Sequence, residues 1–194
     1  MAVKICVYGA GAIGGYLAAC LHDAGAEVSL VARGPHLAAI QNSGLKLKMA
    51  EETRHYKLKA SNTPSDFGEQ DYIIIALKAH GITQITEEIE PLLGTNTAVV
   101  SAVNGLPWWY FFKANTNTEL DNKHLQSVDP DGKIWNLIGA NRAIGCVVYP
   151  ACEISEPGTI THIDGERISL GEPSGEMTER MKILSELMLS LIHI

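Results

Sequence analysis

Three glycines near the beginning of the chain are spaced in a way that suits the binding of phosphate groups. They lie in the segment Gly9-Ala10-Gly11-Ala12-Ile13-Gly14, which has the pattern G-x-G-x-x-G. The segment follows a short apolar run with β-strand alternation and precedes residues that repeat with helical period up to Gly25. In that context the first glycine permits a tight turn, the second admits a pyrophosphate close to the backbone, and the third lets helix and strand pack closely. The pattern predicts a dinucleotide site, with a purely structural turn as the alternative.

The residue after the second predicted strand bears on which dinucleotide is bound. This strand covers residues 27–32, and Arg33 follows it, about 20 positions beyond the glycines. A site for NAD carries Asp or Glu at this place to bind the ribose 2′-hydroxyl, whereas an arginine suits the 2′-phosphate of NADP. Arg33 therefore predicts NADP, the alternative being a solvated arginine in the Arg-Gly-Pro turn. His36, close behind, either assists Arg33 or is simply solvated.

Polar residues also follow two later strands of the predicted sheet. Lys78 comes after the most apolar strand, residues 71–77, and Asn104 comes after a strand over residues 98–103. Because ligands of open α/β sheets bind at the carboxyl ends of the strands, both side chains are expected at the edge that holds a cofactor. Each residue also has a plainer interpretation. Lys78 would then be a solvated lysine, and Asn104 with Gly105 would form a turn.

The elements that must position these residues follow from the remaining pattern, which predicts an α/β fold with a doubly wound, mostly parallel sheet. The predicted elements are a helix over 35–42, paired strands over 45–49 and 55–59, a helix over 82–93, a strand over 142–150, and a hairpin of strands 159–163 and 167–170 around Asp164-Gly165. A helical stripe then runs from Met177 to Leu191 without a stop signal. We therefore expect a truncated chain whose last residues are not native.

Residues 107–112, Pro-Trp-Trp-Tyr-Phe-Phe, concentrate aromatic side chains in a chain with only 6% aromatic residues. Two interpretations carry equal weight: a short helix packed over the sheet edge, and a hydrophobic lid or wall beside a cofactor ring. The stretch that follows, up to residue 136, is polar and irregular and contains the turn Asp129-Pro130-Asp131-Gly132. We therefore expect an insertion at about residues 107–136.

Composition and charge argue against several classes of protein. The 194 residues are 46% hydrophobic and 19% charged, and the net charge of −7 disfavours nucleic acid and anionic membranes as partners. No apolar run reaches the roughly 20 residues of a membrane span, and we expect no signal peptide. Four cysteines and seven histidines are scattered without metal-ligand spacing. These features predict a cytoplasmic protein with free thiols and no metal.

Taken together, the motifs resemble those of the ketopantoate reductase (2-dehydropantoate 2-reductase) family. The resemblance runs from Lys4 to about Gly171 and rests on residues 9–14, Arg33, Leu77-Lys78-Ala79, Asn104-Gly105, residues 145–150, and Pro157-Gly158 before Thr161-His162. It implies a Rossmann-type NADP-binding domain over residues 1–171. A helix over residues 172–194 would then lead towards a C-terminal helical domain that is absent from this chain.

The resemblance also implies an activity, the NADPH-dependent reduction of 2-dehydropantoate to (R)-pantoate in pantothenate and coenzyme A synthesis. It places the pyrophosphate on residues 9–14, the 2′-phosphate at Arg33, Lys78 near the nicotinamide ribose, and Asn104 beside the nicotinamide and the 2-oxo acid substrate. The family's general-acid lysine belongs to the helical domain, so no catalytic residue of that kind is expected in this chain.

Three consequences of this resemblance remain expectations. The chain should bind NADPH weakly and have little or no activity alone, and the full-length protein is compatible with a homodimer, as in some members of the family. Substrate choice lies mainly in the missing half, so a reductase of another 2-oxo acid stays open as an alternative. A free-standing dinucleotide-binding module that serves as a sensor or partner domain is a further alternative.

Overall fold

The computed structural model describes residues 2–189, which contain two β-sheets and four α-helices. The strands are β1 (Lys4–Tyr8), β2 (Glu27–Val31), β3 (Leu45–Met49), β4 (Glu52–Tyr56), β5 (Lys59–Ser61), β6 (Gln70–Ile75), β7 (Leu93–Ser101), β8 (Ala143–Val148), β9 (Ala151–Glu156), β10 (Thr159–Asp164) and β11 (Ile168–Gly171). The helices are α1 (Ala12–Asp23), α2 (Gly34–Ser43), α3 (Ile82–Ile85) and α4 (Glu179–Leu189).

The larger sheet has the strand order β11-β8-β7-β6-β1-β2-β5. Its neighbouring strands are parallel, apart from the antiparallel pair of β11 and β8. The chain builds outward from β1 to β2 and β5, and then returns to the other side of β1 with β6. The strand order therefore reverses between β1 and β6, where Tyr8 is paired with Ile75. In doubly wound sheets this reversal opens the crevice in which ligands bind, and the predicted α/β fold class is confirmed.

Both faces of the larger sheet are covered, and β1 shows how the coverage is divided. Ile5 and Val7 are fully buried in the cluster that contains α1, whereas Cys6 and Tyr8 belong to the cluster on the opposite face with Ile85. This division follows because successive side chains of a strand point to opposite faces. Central strands buried on both faces carry nearly continuous apolar runs, which is why β6 was the clearest strand in the sequence.

The smaller sheet, in the order β4-β3-β10-β9, packs against α1. Residues 14–21 of α1 are all buried, as expected of a helix that is covered on more than one side. A Cβ added at Gly15 would lie 2.6 Å from Cγ1 of Ile160 in β10, so the helix backbone touches this sheet directly. The helix α1, which begins within the glycine segment, is therefore fixed between the two sheets.

The predicted hairpin of residues 159–163 and 167–170 is wrong, because its two strands belong to different sheets. The first, β10, pairs antiparallel with β9 and parallel with β3, whereas β11 pairs with β8 at the edge of the larger sheet. The tight turn is instead Pro157-Gly158 between β9 and β10, where Gly158 has a φ of +81°. The segment at Asp164-Gly165 carries the chain from one sheet to the other.

The predicted helix over residues 82–93 is reduced to α3 and a short 3₁₀ turn, Glu90–Leu92. Pro91 is one reason why no α-helix continues to residue 93, since proline has no amide hydrogen to donate to the carbonyl four residues earlier. The strand β7 then begins at Leu93, earlier than predicted. Ile82, Ile85, Ile89 and Leu92 remain buried, so the apolar face was predicted correctly although the helix was not.

Residues 107–112 form successive turns, and the short helix predicted there is wrong. The amides of Tyr110 and Phe112 donate to carbonyls three residues earlier, which closes turns without continuing into a helix. Trp108 is buried on the face of the sheet opposite α1, and Trp109 Nε1 donates to Ser101 Oγ at 3.3 Å. The second interpretation, a lid beside a cofactor ring, stays a prediction.

The C-terminal apolar stripe forms α4 with Met181, Leu184 and Met188 buried against the main core. The predicted start of this helix at residue 172 is wrong, because residues 172–178 are not helical, and Met177, the first member of the predicted stripe, is exposed before the helix begins. Leu191, the last member of the predicted stripe, lies outside the described residues. The expected non-native residues at the end of the chain lie outside them as well. Among the described residues, no helix is long and apolar enough to cross a membrane.

Candidate functional site

The glycine segment forms the turn between β1 and α1 and lies at the reversal of strand order. Gly9 has a φ of +103°, a conformation that side chains rarely adopt, and its amide donates to the carbonyl of Val31 at 3.0 Å. The amide of Ala10 donates to the same carbonyl at 3.1 Å. The turn is thus bound to the end of β2, and this attachment sets its position relative to Arg33.

Gly14 and Gly11 are required by opposite features of this turn. A Cβ added at Gly14 would lie 1.9 Å from the carbonyl oxygen of Gly9, so only glycine lets α1 approach the turn this closely. A Cβ added at Gly11 would meet no described atom within 4 Å. The space above Gly11 is therefore open, and a ligand can reach the backbone there.

The first turn of α1 offers amide groups to such a ligand. Ala12, Ile13 and Gly14 occupy this turn, where backbone amides have no partner within the helix. Among the described residues, no side chain caps this end of α1. Unpaired amides and the partial positive charge of a helix N-terminus together favour a phosphate group. The turn therefore fits the pyrophosphate of a dinucleotide.

A cleft of about 580 Å³ opens beside this turn. It is lined by the turn itself, by the ends of β1 and β2, and by the segment that follows β6. Of the predicted site residues, the cleft brings together Gly9, Ala10, Gly11, Arg33 and Lys78. These residues come from three separate elements, and the reversal of strand order is what places them around one volume.

The two predicted cations, Arg33 and Lys78, are both exposed. Arg33 lies two residues beyond the end of β2 and is the cap residue of α2, and Lys78 is the cap residue of the 3₁₀ turn Ala79–Gly81. Their side chains line the same cleft as the open backbone at Gly11. The arrangement suits an anionic ligand that extends from the turn towards both cations.

His36 is not simply solvated, which was one of the two interpretations of its sequence context. It lines the same cleft as Arg33, and its assistance to Arg33 stays a prediction. Its Nδ1 accepts a hydrogen bond from the amide of Gly158 at 3.0 Å, across 122 residues of sequence. Burial lowers the pKa of His36, partly offset by the carbonyl of Ala10, and the neutral ring can accept this bond. Among the described residues, His36 Nε2 is buried without a partner. His36 thus ties the β9–β10 turn to the wall of the cleft.

Asn104 lies apart from the other predicted site residues. Its Nδ2 donates to the carbonyl of Val148 at 3.1 Å, and its Oδ1 accepts from the amide of Val148 at 3.3 Å. Both ends of the amide therefore bind the end of β8, and Asn104 is not among the residues that line the cleft. The structure thus places Asn104 and Lys78 at the carboxyl ends of neighbouring strands, with only Lys78 in the cleft.

Several cleft residues were missed by the sequence analysis. Tyr8, Asn62, Gln84 and Glu88 line the cleft, and Tyr8 Oη donates to Glu88 Oε2 at 2.6 Å. Tyr8 was available as a signal because it directly precedes the first glycine of the motif. Glu88 was not, since in the sequence it belongs to the polar face of a predicted helix.

The fold and this turn define the chain as a Rossmann-like, dinucleotide-binding type of protein. The family described as "Ketopantoate reductase PanE/ApbA" matches residues 5–175. A 2-dehydropantoate 2-reductase from Mesorhizobium japonicum is 50% identical over 185 residues, which cover 95% of this chain and 56% of that protein. The chain therefore belongs to the ketopantoate reductase family, and it spans little more than half the length of this curated relative.

Solved structures agree with this assignment. A Ralstonia solanacearum protein described as a ketopantoate reductase shares 39% identity with a TM-score of 0.90, over 98% of this chain and 59% of that one. A 2-dehydropantoate 2-reductase from Geobacter metallireducens shares 26% identity with a TM-score of 0.79, over 97% and 56%. A D-mandelate dehydrogenase in complex with NADH and anilino(oxo)acetate shares the fold, with a TM-score of 0.75 and 19% identity.

Proposed function

We propose that this chain is the cofactor-binding portion of an NADPH-dependent 2-dehydropantoate 2-reductase. The full-length protein would reduce the ketone of 2-dehydropantoate to (R)-pantoate, a step in pantothenate and coenzyme A synthesis. The observation that carries this proposal is the open backbone at Gly11 facing a cleft that also contains Arg33. It occurs in a chain that is 50% identical to a relative of that name.

The described residues have distinct tasks in holding the cofactor. We assign the pyrophosphate to the backbone of residues 9–14, because the amides at the start of α1 have no side-chain cap and the space at Gly11 is open. Arg33 would bind the 2′-phosphate, and Lys78 would contact the cofactor near the nicotinamide ribose. When bound, NADPH supplies the hydride for the ketone.

The preference for NADP over NAD rests on Arg33. A charge-assisted hydrogen bond contributes about 1.5–3 kcal/mol, which corresponds to a preference of about 10- to 100-fold. Support comes from its position, since Arg33 follows β2 and lines the cleft beside the glycine turn. The fold cannot supply this preference by itself, because the D-mandelate dehydrogenase that shares the fold is bound to NADH.

Proton transfer to the developing alkoxide is assigned to a residue outside this chain. A general acid must come within hydrogen-bond distance of that oxygen, whereas Lys78 lines the cleft that we assign to the cofactor. Asn104 would position the nicotinamide and the substrate, after its amide releases one of its bonds to Val148. The chain alone would then bind cofactor without turning over substrate.

The remaining parts of the proposal concern the setting of the protein. We infer a reducing cytoplasm, because Cys6, Cys20, Cys146 and Cys152 are all free in the structure. Burial raises the pKa of Cys20 to about 12, which keeps that thiol unreactive. A small 2-oxo acid is the proposed substrate, and neither nucleic acid nor a membrane is proposed as a partner. A homodimer is proposed only for the full-length protein.

Binding and turnover measured side by side test this function. We expect the purified chain to bind NADPH saturably, seen as a change in nicotinamide fluorescence, and to show no 2-dehydropantoate-dependent oxidation of NADPH. The full-length relative from Mesorhizobium japonicum serves as the positive control for both assays. Absence of saturable binding would contradict the cofactor site, and turnover near that of the relative would contradict the inactivity of the chain alone.

A further inference from the structure

An acidic side chain lines the same cleft as Arg33 and Lys78. Glu88 is exposed, and its carboxylate repels phosphate groups, so it serves no purpose in holding the charged part of a dinucleotide. Its orientation is nevertheless controlled, because Tyr8 Oη donates to Glu88 Oε2 at 2.6 Å across 80 residues of sequence. The hydrogen bond from Tyr8 therefore suggests that the Glu88 carboxylate has a role in the cleft.

The position and protonation of Tyr8 allow it to orient the Glu88 carboxylate. It is the last residue of β1, is 4% exposed, and directly precedes the glycine turn. Burial and then the neighbouring Glu88 raise the pKa of the Tyr8 phenol, so the hydroxyl stays protonated and donates to the carboxylate. The bond occupies Oε2 of a residue that lines the cleft, so the carboxylate keeps a second oxygen, Oε1, that can accept a hydrogen bond.

The surroundings of Glu88 suit a flat base. Val31, Ala32, Leu77 and Ile85 line the cleft together with Glu88 and give it apolar surface. With the pyrophosphate on the glycine turn and the 2′-phosphate at Arg33, the base of the same nucleoside would contact apolar residues of this kind. Buried apolar walls with one oriented polar group are the usual composition of a specific small-molecule site.

The chemistry of an ionised carboxylate identifies the edge of the base that it recognises. A carboxylate only accepts hydrogen bonds, and adenine presents an exocyclic 6-amino group as a donor. Hypoxanthine has an oxygen at the same position, which would face the carboxylate as a second acceptor. We propose that Glu88, oriented by Tyr8, selects adenine in the dinucleotide by accepting a hydrogen bond from the 6-amino group. This inference rests on the proposed function, because it requires a dinucleotide in the cleft.

A comparison of two fluorescent cofactors tests this selection without any measurement of activity. The purified chain is titrated with NADPH and with its hypoxanthine analogue, reduced nicotinamide hypoxanthine dinucleotide phosphate. We expect the chain to bind NADPH about tenfold or more tightly, as one charge-assisted hydrogen bond implies. In Glu88→Gln the preference should fall to within about threefold, because an amide can donate to the hypoxanthine oxygen as well as accept from adenine.

Two further variants separate selection from structure. Tyr8→Phe keeps the carboxylate but removes the hydroxyl that orients it, so we expect an intermediate preference. Glu87→Gln is the matched control, because Glu87 is paired with Lys133 and is not among the cleft residues, and its preference should equal that of the unmodified chain. If Glu88 only anchors residues 86–89 to β1, Glu88→Gln lowers thermal stability and leaves the preference unchanged, which would overturn the inference.

The outcomes also distinguish this inference from the proposed function. Equal binding of the two cofactors by the unmodified chain overturns the role of Glu88 and leaves the cofactor site intact. If the chain binds neither cofactor, the proposed function is overturned, and the selection of adenine is overturned with it.

Discussion

At the scale of single residues, two glycines of the same turn are held to glycine by opposite requirements. Gly14 has no room for a side chain, since a Cβ would lie 1.9 Å from the Gly9 carbonyl. Gly11 has room in the apo chain, and the space above it is the space that a pyrophosphate would occupy. Gly14 is therefore required by the fold, and Gly11 is required by the ligand.

Alanine substitutions separate these two requirements. We expect Gly14→Ala to lower the free energy of unfolding by about 2 kcal/mol, as overpacking does, which corresponds to about 4–8 °C in Tm for a chain of this size. Gly11→Ala should change Tm by less than about 2 °C. It should nevertheless weaken the binding of NADPH by about tenfold, because the methyl group displaces phosphate from backbone amides. Thermal unfolding and NADPH titration measure the two effects. Equal losses of Tm in both variants would refute this division of roles.

The residue scale also shows what the sequence could reveal about the site. The spacing of the glycines and the position of Arg33 after β2 are local features, and the structure places both in one cleft. The partnership of Tyr8 with Glu88 and that of His36 with Gly158 join residues 80 and 122 positions apart. Such contacts depend on the packing of whole elements, so no local sequence pattern predicts them.

At the scale of elements, α4 is attached to the larger sheet by a largely buried ion pair. The side chain of Glu172 is 4% exposed and receives hydrogen bonds of 2.6 Å from Arg180 Nε and from Thr178 Oγ1. Arg180 Nη2 also donates to Glu172 Oε2 at 2.6 Å. Burial raises the pKa of Glu172, but the bonds from Arg180 and Thr178 outweigh it, so the pKa is lowered and the carboxylate stays ionised.

Removal of one partner should destabilise this attachment strongly. We expect Arg180→Leu to lower the free energy of unfolding by about 3 kcal/mol, because it leaves the Glu172 carboxylate buried and unpaired. Lys182→Leu is the matched control, since its pair with Glu179 is exposed and contributes less than about 1 kcal/mol. Denaturant unfolding measures both. The double variant Glu172→Leu, Arg180→Leu should recover most of the loss, and a loss equal to that of the control would contradict a buried, coupled pair.

The elements themselves were predicted unevenly, for physical reasons. The buried strands β1, β6 and β7 could be recognised because parallel strands covered on both faces carry continuous apolar runs. The helix over residues 82–93 was overestimated because its apolar period continues through Pro91, which the backbone cannot follow. The apolar period therefore predicted the buried residues correctly, but it did not predict the backbone conformation near the proline.

At the scale of the whole molecule, the arrangement of the sheets creates the site. The reversal between β1 and β6 brings the glycine turn, Arg33 and Lys78 around one cleft of about 580 Å³. The net charge of −7 gives the chain no general attraction for anions, so a phosphate must be captured by these local groups. The assignment of the last strands to two sheets could not be predicted, because strand patterns do not specify which partner each strand pairs with.

The domain boundary proposed at residue 171 remains a prediction at this scale. The chain covers 56% of its relative from Mesorhizobium japonicum. Under the proposed function, the rest of the full-length protein binds most of the substrate, whereas the proposed cofactor site consists of described residues alone. It is therefore the part of the account that the chain itself can test.

A cofactor titration of Arg33→Ala tests the central claim most directly. The unmodified chain, Arg33→Ala and the control Arg54→Ala, whose guanidinium pairs with Glu52 and Asp23 away from the cleft, are each titrated with NADPH and NADH. We expect Arg33→Ala to raise the Kd for NADPH about tenfold or more and to leave NADH nearly unchanged, while Arg54→Ala changes neither. Equal losses for NADPH and NADH in Arg33→Ala would show that Arg33 does not bind the 2′-phosphate.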